Sequence, residues 1–380
     1  MDKILKNALV LTEDFVFQKK DVAICGTKIC AIDDEISGDC EILPLDGKVL
    51  VPGLVDIHTH GCIGLDSADC ANDDEISLMR KFYAGHGVTT YLATVTTSSE
   101  KSTADAIKLI TDAADSPIGA NIGGIHMEGP YFCHERKGAQ NPEYLRLPSV
   151  GEFNSLYDIS RGNIKLISIA PELAGSYEFL CEISKKCRVS IGHTDADYET
   201  AIKAIECGAS VMTHTFNAMR PMLHRAPGAV GAALDKQIFC EFICDGFHID
   251  KAIIRIMYRL LGDKKMLLIS DSIRAAGMAD GEYTLAGLPV FVKDGKALLS
   301  DGTIAGSTVT LYDCIKNAIE FGIPAESAFR MASLTPACAC GIDDVCGSIS
   351  VGKRADILVL DKKMCLDKVM IRGEFFEKER

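Results

Sequence analysis

The chain has 380 residues, enough for one large domain or two ordinary ones with a well-buried core. It is 47% hydrophobic with only 12 prolines, which excludes intrinsic disorder. A formal net charge of −13 argues against a general nucleic-acid or anionic-membrane surface, so an anionic small substrate would need locally placed cations.

The opening MDKILKNALV has no apolar core of a signal peptide, and no run of about 18 apolar residues predicts a membrane helix. The expectation is a cytoplasmic chain whose 16 cysteines are reduced and serve mostly as small core residues. Cys338, Cys340 and Cys346 lack the paired C-x-x-C spacing of a zinc clip.

Residues 1–51 read as β. Ile4 to Leu11 form one strand region, and Asp21 to Ile32 form two short strands around Gly26-Thr27. From Leu54 the texture changes to short apolar runs alternating with helical patterns. The strand candidates are Leu54–His58, Val88–Val95, Ala120–Met127, Ile164–Ala170, Val189–Gly192, Val211–Thr213, Ile238–Cys244 and Met266–Ser270. Between them, sets such as Ala106, Ile107, Ile110 and Ala114 fit one helical face, and Ser149 with Glu152 predicts a capping box. Eight strands alternating with helices predict a parallel (β/α)8 TIM-type barrel, with a doubly wound sheet as the alternative. Gly281 to Asp301 reads as an insertion with a hairpin turning at Asp294-Gly295. A helix follows, and residues 348–380 return to β. The predicted organisation is a small β-sandwich domain built from 1–51 and 345–380, flanking a barrel of 52–344.

Polar residues gather at the carboxyl ends of the predicted strands. His58 and His60 close the first strand in PGLVDIHTHG, Glu128 follows the third, His193 the fifth, His214 the sixth, His248 the seventh and Asp271 the eighth. Each alone fits a structural role. Together, on the face of a barrel that carries active sites, they predict a metal site. Imidazole plus carboxylate suits zinc, iron, manganese or cobalt without choosing among them. Metal-bound hydroxide, with Asp271 as the adjacent general base and then acid, predicts hydrolysis of a C–N or similar bond.

PGLVDIHTHG and GKRADILVLD (352–361) resemble the amidohydrolase superfamily. HMEGPYF, KGA with Asn141-Pro142, GHTDA, THTFNAMRPM, CDGFH and SDS resemble its N-acetylglucosamine-6-phosphate deacetylase family, in matching order along about 300 residues. The resemblance implies removal of the N-acetyl group from N-acetylglucosamine 6-phosphate, giving acetate and glucosamine 6-phosphate. It implies that Glu128, His193 and His214 are central metal ligands and Asp271 the acid–base. It implies that Ala139, Asn217 and Ala218 hold the sugar, that Arg225 binds the 6-phosphate, and that His248 with Asp245, Gly246 and Phe247 adds a further contact. Ile304, Ala305 and Gly306 match a loop that closes on the ligand. A homodimer is implied, with part of the phosphate site supplied by the partner. A planar guanidinium suits phosphate, whereas Arg220 reads as a solvated charge and His224 stays undecided.

Two features depart from the family pattern. Some members lack the first-strand histidine pair and work with one metal, so His58 and His60 predict two divalent ions per chain, with Glu128 between them. The residue after KGA is usually histidine, and here it is Gln140, which can donate a hydrogen bond but carries no charge. The alternatives are the galactosamine epimer, or another C–N hydrolase of the superfamily. Cyclic amidases of the dihydroorotase kind use a lysine after strand four, and Ile167-Ser-Ile-Ala-Pro171 has none. A metal-free scaffold would not keep this ligand set.

Overall fold

The computed structural model describes residues 1–377, so the last three positions of the C-terminal β segment lie outside the described residues. Eight parallel strands form one sheet in sequential order. They are β1 (Leu54–Thr59), β2 (Val88–Thr96), β3 (Asn121–Glu128), β4 (Ile164–Ile169), β5 (Arg188–Ile191), β6 (Ala209–Met212), β7 (Phe239–Ile243) and β8 (Met266–Ile269). Helices α1 (Asp73–Gly85), α2 (Glu100–Ala113), α3 (Val150–Ile159), α4 (Ser176–Ile183), α5 (Tyr198–Glu206), α6 (Gly228–Lys236), α7 (Lys251–Leu261) and α8 (Leu311–Glu320) follow the strands in turn. The sheet is nearly closed into the predicted barrel. At the seam between β8 and β1, the Asp271 N–H donates to the His58 carbonyl at 2.9 Å.

Strands buried on both faces explain the continuous apolar runs. Val55, Ile57, Leu92, Leu166, Val211, Ile243, Leu267 and Ile269 fill the barrel interior, and a helix over Leu334–Cys340 plugs its base with Ala337, Ala339 and Cys340. A second, larger apolar layer packs the strands against the helices. Side chains of Asn72, Ser99, Asp197, Asp250 and Thr310 accept N–H groups at the starts of α1, α2, α5, α7 and α8. Each such cap contributes about 1 kcal/mol. Ser149 accepts the Glu152 N–H, half of the expected box.

Both chain ends build one further eight-stranded sheet. Lys3–Leu11, Phe17–Cys25, Lys28–Asp33, Glu41–Pro44 and Val49–Pro52 come from the N-terminal side, and Ile357–Leu360, Leu366–Ile371 and Glu374–Phe376 from the C-terminal side. It curls around Leu5, Val22, Ile24, Leu50, Ile357 and Met370. Where its ends meet, Gly373 has φ +82°, and a Cβ there would lie 2.3 Å from the Gly26 carbonyl oxygen, so the contact requires glycine. The expectation of uniformly reduced thiols is corrected here. Cys25 and Cys30 form a disulfide across the hairpin joining two of these strands, where pairing holds their Cα atoms 5.8 Å apart. The other fourteen cysteines are free.

The insertion is a three-stranded antiparallel sheet of Gly281–Leu285, Leu288–Lys293 and Lys296–Leu298, one strand more than the predicted hairpin. Asp294 (φ 51°) and Gly295 (φ 72°) make its turn. Its core of Leu285, Val290, Val292 and Ala297 packs on Ala139, Ile273 and Ala305, which carries it over the carboxyl end of the barrel.

The GKRADILVLD segment joins the two sheets. Asp356 is buried and accepts from Arg354 Nε at 2.6 Å, the Arg372 N–H at 2.9 Å and Asn121 Nδ2 at 3.3 Å, while Arg372 Nη1 donates to Asn121 Oδ1 at 2.6 Å. Removing one member of a buried ionic network leaves the others unpaired. Asp356→Ala is expected to lower unfolding free energy by about 3 kcal/mol in urea titrations followed by circular dichroism. An unchanged midpoint would refute the joint's role.

Candidate active site

Strict alternation along β1 would point Val55, Ile57 and Thr59 inward and both histidines outward. The strand instead carries a β-bulge: Asp56 faces Tyr91 and Thr59 faces Ala93, so one extra residue enters β1. Ile57 and His58 both face the interior as a result, while the Thr59 hydroxyl turns away to Tyr83 and Ser272. Bulges re-aim side chains in this way. His193 (φ 46°), His214 (φ 23°) and Asp271 (φ 48°) each lie just past a strand end in the left-handed region. Non-glycine residues hold such angles only when the surroundings over-determine them, and they cluster at functional sites.

These devices bring six side chains together. His58, His60 and Asp271 form one group that can hold a metal ion, and Glu128, His193 and His214 form another, with all six residues buried. Glu128 lies between the groups. Its Oε1 is 3.3 Å from His58 Nε2, 3.1 Å from His193 Nε2 and 3.2 Å from His214 Nε2, and its Oε2 is 3.5 Å from His60 Nε2. Asp271 Oδ1 is 3.1 Å from His60 Nε2 and 3.4 Å from His58 Nε2.

The proton inventory favours cations here. His193 Nδ1 faces the Arg136 carbonyl at 3.1 Å, which only accepts, so Nδ1 carries hydrogen. Burial holds His193 below its ordinary pKa, so its Nε2 presents a lone pair to Glu128 and, 3.1 Å away, to His214 Nε2. His58 Nδ1 donates to Glu241 at 2.9 Å, and its buried Nε2 has no hydrogen-bond partner. Burial works against charge on His58, yet Glu241, Asp271 and Glu128 together raise its pKa well above the usual range. Burial likewise opposes ionisation of Glu128, but His58, His193 and His214 outweigh it and hold the carboxyl well below its ordinary value. Asp271 is also held low, because His58 and His60 outweigh the effect of its burial. Ionised carboxylates and converging imidazole lone pairs are the donor set of a divalent transition ion.

A cavity opens above the cluster. Its wall holds Ala139, Gln140, Asn217, Ala218, His248, Ile304 and Gly306, all singled out in the sequence, together with Gly138, Leu285 and Thr303, which were not. Gln140 is buried. Its Nε2 donates to Glu128 Oε2 at 2.5 Å and its Oε1 accepts the Thr97 N–H at 3.0 Å. His248 Nδ1 donates to Asp245 Oδ2 at 2.7 Å, and Asp245 Oδ1 accepts the N–H groups of Phe247 and His248, both at 2.8 Å. Asp245 therefore sits behind His248 and not on the cavity wall. Phe247 packs beneath Lys296 of the insertion, and Ala305 is in the insertion's core. Gly246 is exposed. The chain does not bring Arg225 to its own cavity: Arg225 is exposed on the Leu223–Ala226 turn beside His224. Cys62 and Cys244 are buried, and burial pushes both thiols up, Cys244 to about 12, which makes them inert packing.

Glu241 was missed by the sequence reading. The signal was present as one carboxylate inside the apolar run of β7, where only a paired charge is tolerated.

The amidohydrolase family model matches residues 49–376. An N-acetylglucosamine-6-phosphate deacetylase of Vibrio furnissii is 37% identical over 337 residues, covering 88% of this chain and 84% of that protein. An N-acetylgalactosamine-6-phosphate deacetylase of Escherichia coli O157:H7 is 32% identical, covering 98% of this chain and 99% of that one. A Mycobacterium smegmatis N-acetyl-D-glucosamine-6-phosphate deacetylase mutant, solved in complex with N-acetyl-D-glucosamine-6-phosphate, superposes with a TM-score of 0.90 at 31% identity over 98% of both chains. With nearly the whole chain matched, and two histidine–carboxylate clusters at the carboxyl ends of its barrel strands, this protein belongs to the amidohydrolase family.

Proposed function

We propose that the protein is a metal-dependent hydrolase that converts N-acetylglucosamine 6-phosphate and water to glucosamine 6-phosphate and acetate. One observation carries this reading. Asp271, held ionised beside two adjacent metal-binding clusters, faces a cavity in a chain that matches deacetylases along nearly its whole length. The His58–His60–Asp271 and Glu128–His193–His214 clusters would each hold one divalent ion. Such ions, when bound, acidify water and polarise an amide carbonyl.

The chain's own groups supply the rest. Asp271 accepts a proton from the attacking water and delivers it to the sugar nitrogen as the C–N bond breaks. Asn217, Ala218 and His248 line the sugar's place, with Asp245 fixing the imidazole of His248. Leu285, Thr303, Ile304 and Gly306 bring the insertion and its following loop over the cavity and limit access of bulk water. Arg225 reaches the 6-phosphate from the partner in a homodimer. Its exposure on a turn with Met222 and Leu223, 45% and 58% exposed, supports that placement. We also place the enzyme in the cytoplasm. No helix among the described residues is long and apolar enough to cross a membrane.

Acetate release from phosphorylated and unphosphorylated N-acetyl hexosamines, with metals quantified on the same batch, tests the reading. N-acetylglucosamine 6-phosphate is expected to give the highest kcat/KM, and its galactosamine epimer, N-acetylgalactosamine 6-phosphate, a lower one. Metal content should be two ions per chain, falling to one in His60→Ala. A preference for the epimer would reassign the substrate, and one ion per chain, unchanged by His60→Ala, would remove the second site. Asp271→Asn is expected to reduce kcat by about 10³-fold, within the range of general acid–base contributions. Near-normal turnover would exclude the proton-transfer role.

A further inference from the structure

We infer that Glu241 is a positioning residue that couples the two metal-binding clusters, holding one member of each through a single carboxylate oxygen. The inference rests on the two-ion reading above. Glu241 lies in the middle of β7, fully buried, and shares the inner face of the barrel with Ile243; its neighbour in register on β8 is Leu267. A carboxylate in such a layer costs several kcal/mol unless charged or polar groups compensate it.

Its partners are specific. Oε2 receives His58 Nδ1–H at 2.9 Å and the backbone N–H of His214 at 3.0 Å, while Oε1 is buried without a hydrogen-bond partner. The Glu241 carbonyl also accepts the Thr215 N–H at 2.9 Å, so β7 grips the end of β6 through both main chain and side chain. The two contacts act on different clusters. The first fixes Nδ1 as the nitrogen that donates to Glu241, so that Nε2 is the nitrogen aimed at Glu128 and Asp271. The second holds the backbone of His214 at φ 23°, from which its Nε2 reaches within 3.2 Å of Glu128 Oε1. The ring of His126 meets the His58 ring edge-on at 4.5 Å between centroids, but its Nε2 is paired with the Ser168 hydroxyl at 2.8 Å. Glu241 is thus the only group among the described residues hydrogen-bonded to both His58 and His214 from beneath the site.

A residue that merely satisfies a turn would leave ion affinity unmoved when replaced by a near-isosteric acceptor. A coupling residue would weaken both ions. The test is competitive chelator titration of the full-length protein loaded with zinc, with cobalt(II)-substituted absorption spectra as a second readout and unfolding of the metal-free protein as the folding control. Glu241→Gln keeps an oxygen for both donors but removes the charge. It is expected to raise both dissociation constants by about 10–100-fold, whereas His60→Ala raises one. Glu241→Asp keeps the charge but withdraws it by one methylene, and must also weaken both should Glu241→Gln not fold. Wild-type affinities in these variants, or loss of one ion with the other untouched, would overturn the inference. A wild type that binds a single ion would instead sink the two-ion reading. The positioning role then stands if that ion weakens in Glu241→Gln and falls if it does not.

Discussion

The structure depends on one convergence: the imidazoles of His58, His60, His193 and His214 all approach the buried carboxylate of Glu128, with Nε2 to oxygen distances of 3.1 to 3.5 Å. These histidines come from β1 and from the ends of β5 and β6, and none is local in sequence to Glu128 on β3. Bringing so many polar atoms out of water is unfavourable unless opposite charge compensates them. The Nε2 of His193, whose Nδ1 carries the hydrogen, points a lone pair and not a proton at the carboxylate. Positive charge of higher valence than a proton therefore satisfies more of the site's atoms at once, which is why the cluster reads as a metal centre and not as a structural ion-pair network.

Holding that convergence open requires rigidity at the strand ends. The barrel supplies it by hydrogen bonds across its seam, where the Asp271 N–H reaches the His58 carbonyl and the His60 and Gly61 N–H groups both reach the Ser272 carbonyl. These bonds tie β8 to β1 at the very residues that carry Asp271 and the histidine pair. The positive φ of Asp271 is tolerated because its turn is over-determined in this way. The apolar plug of Ala337, Ala339 and Cys340 below closes the other end of the barrel, so strain above is set against dense packing beneath.

The sequence made the eight strands legible because each is a short apolar run bounded by turn residues, and it made the site residues legible because strand ends of a parallel barrel share one face. It singled out His58 and His60 for an incomplete reason. Their i, i+2 spacing places both on one side, yet simple alternation from Val55 and Ile57 gives the wrong side, and only the bulge at Asp56–Thr59 turns them inward. Bulges depend on partner register, which a single strand's composition does not encode. Glu241 escaped because strand residues were weighed only at their ends. Leu285 and Thr303 escaped because they line the cavity through the packing of the insertion, which its own sequence does not position. The first strand of that insertion, Gly281–Leu285, alternates too weakly to stand out before its neighbours are known. The Cys25–Cys30 bond arises from a tertiary pairing across a hairpin, and a count of sixteen cysteines could not single it out.

Gln140 now has a defined place in the electrostatics. Where the family pattern has a group able to carry charge, this chain has an amide whose oxygen is engaged by the Thr97 N–H and whose nitrogen already donates to Glu128. Such an amide supports the central carboxylate and has one remaining N–H for the cavity. A neutral N–H stabilises a developing oxyanion less than a charged donor or a metal ion does. On the proposed reaction, charge lost at position 140 must be restored close by, and a further donor set able to hold a cation is His58, His60 and Asp271, with His60 Nε2 3.5 Å from the Glu128 oxygen that Gln140 contacts. On that proposal the histidine pair and the glutamine would be two sides of one arrangement, in which a second ion would supply the positive charge absent at position 140, and Glu128, which contacts Gln140, His58 and His60, lies between them.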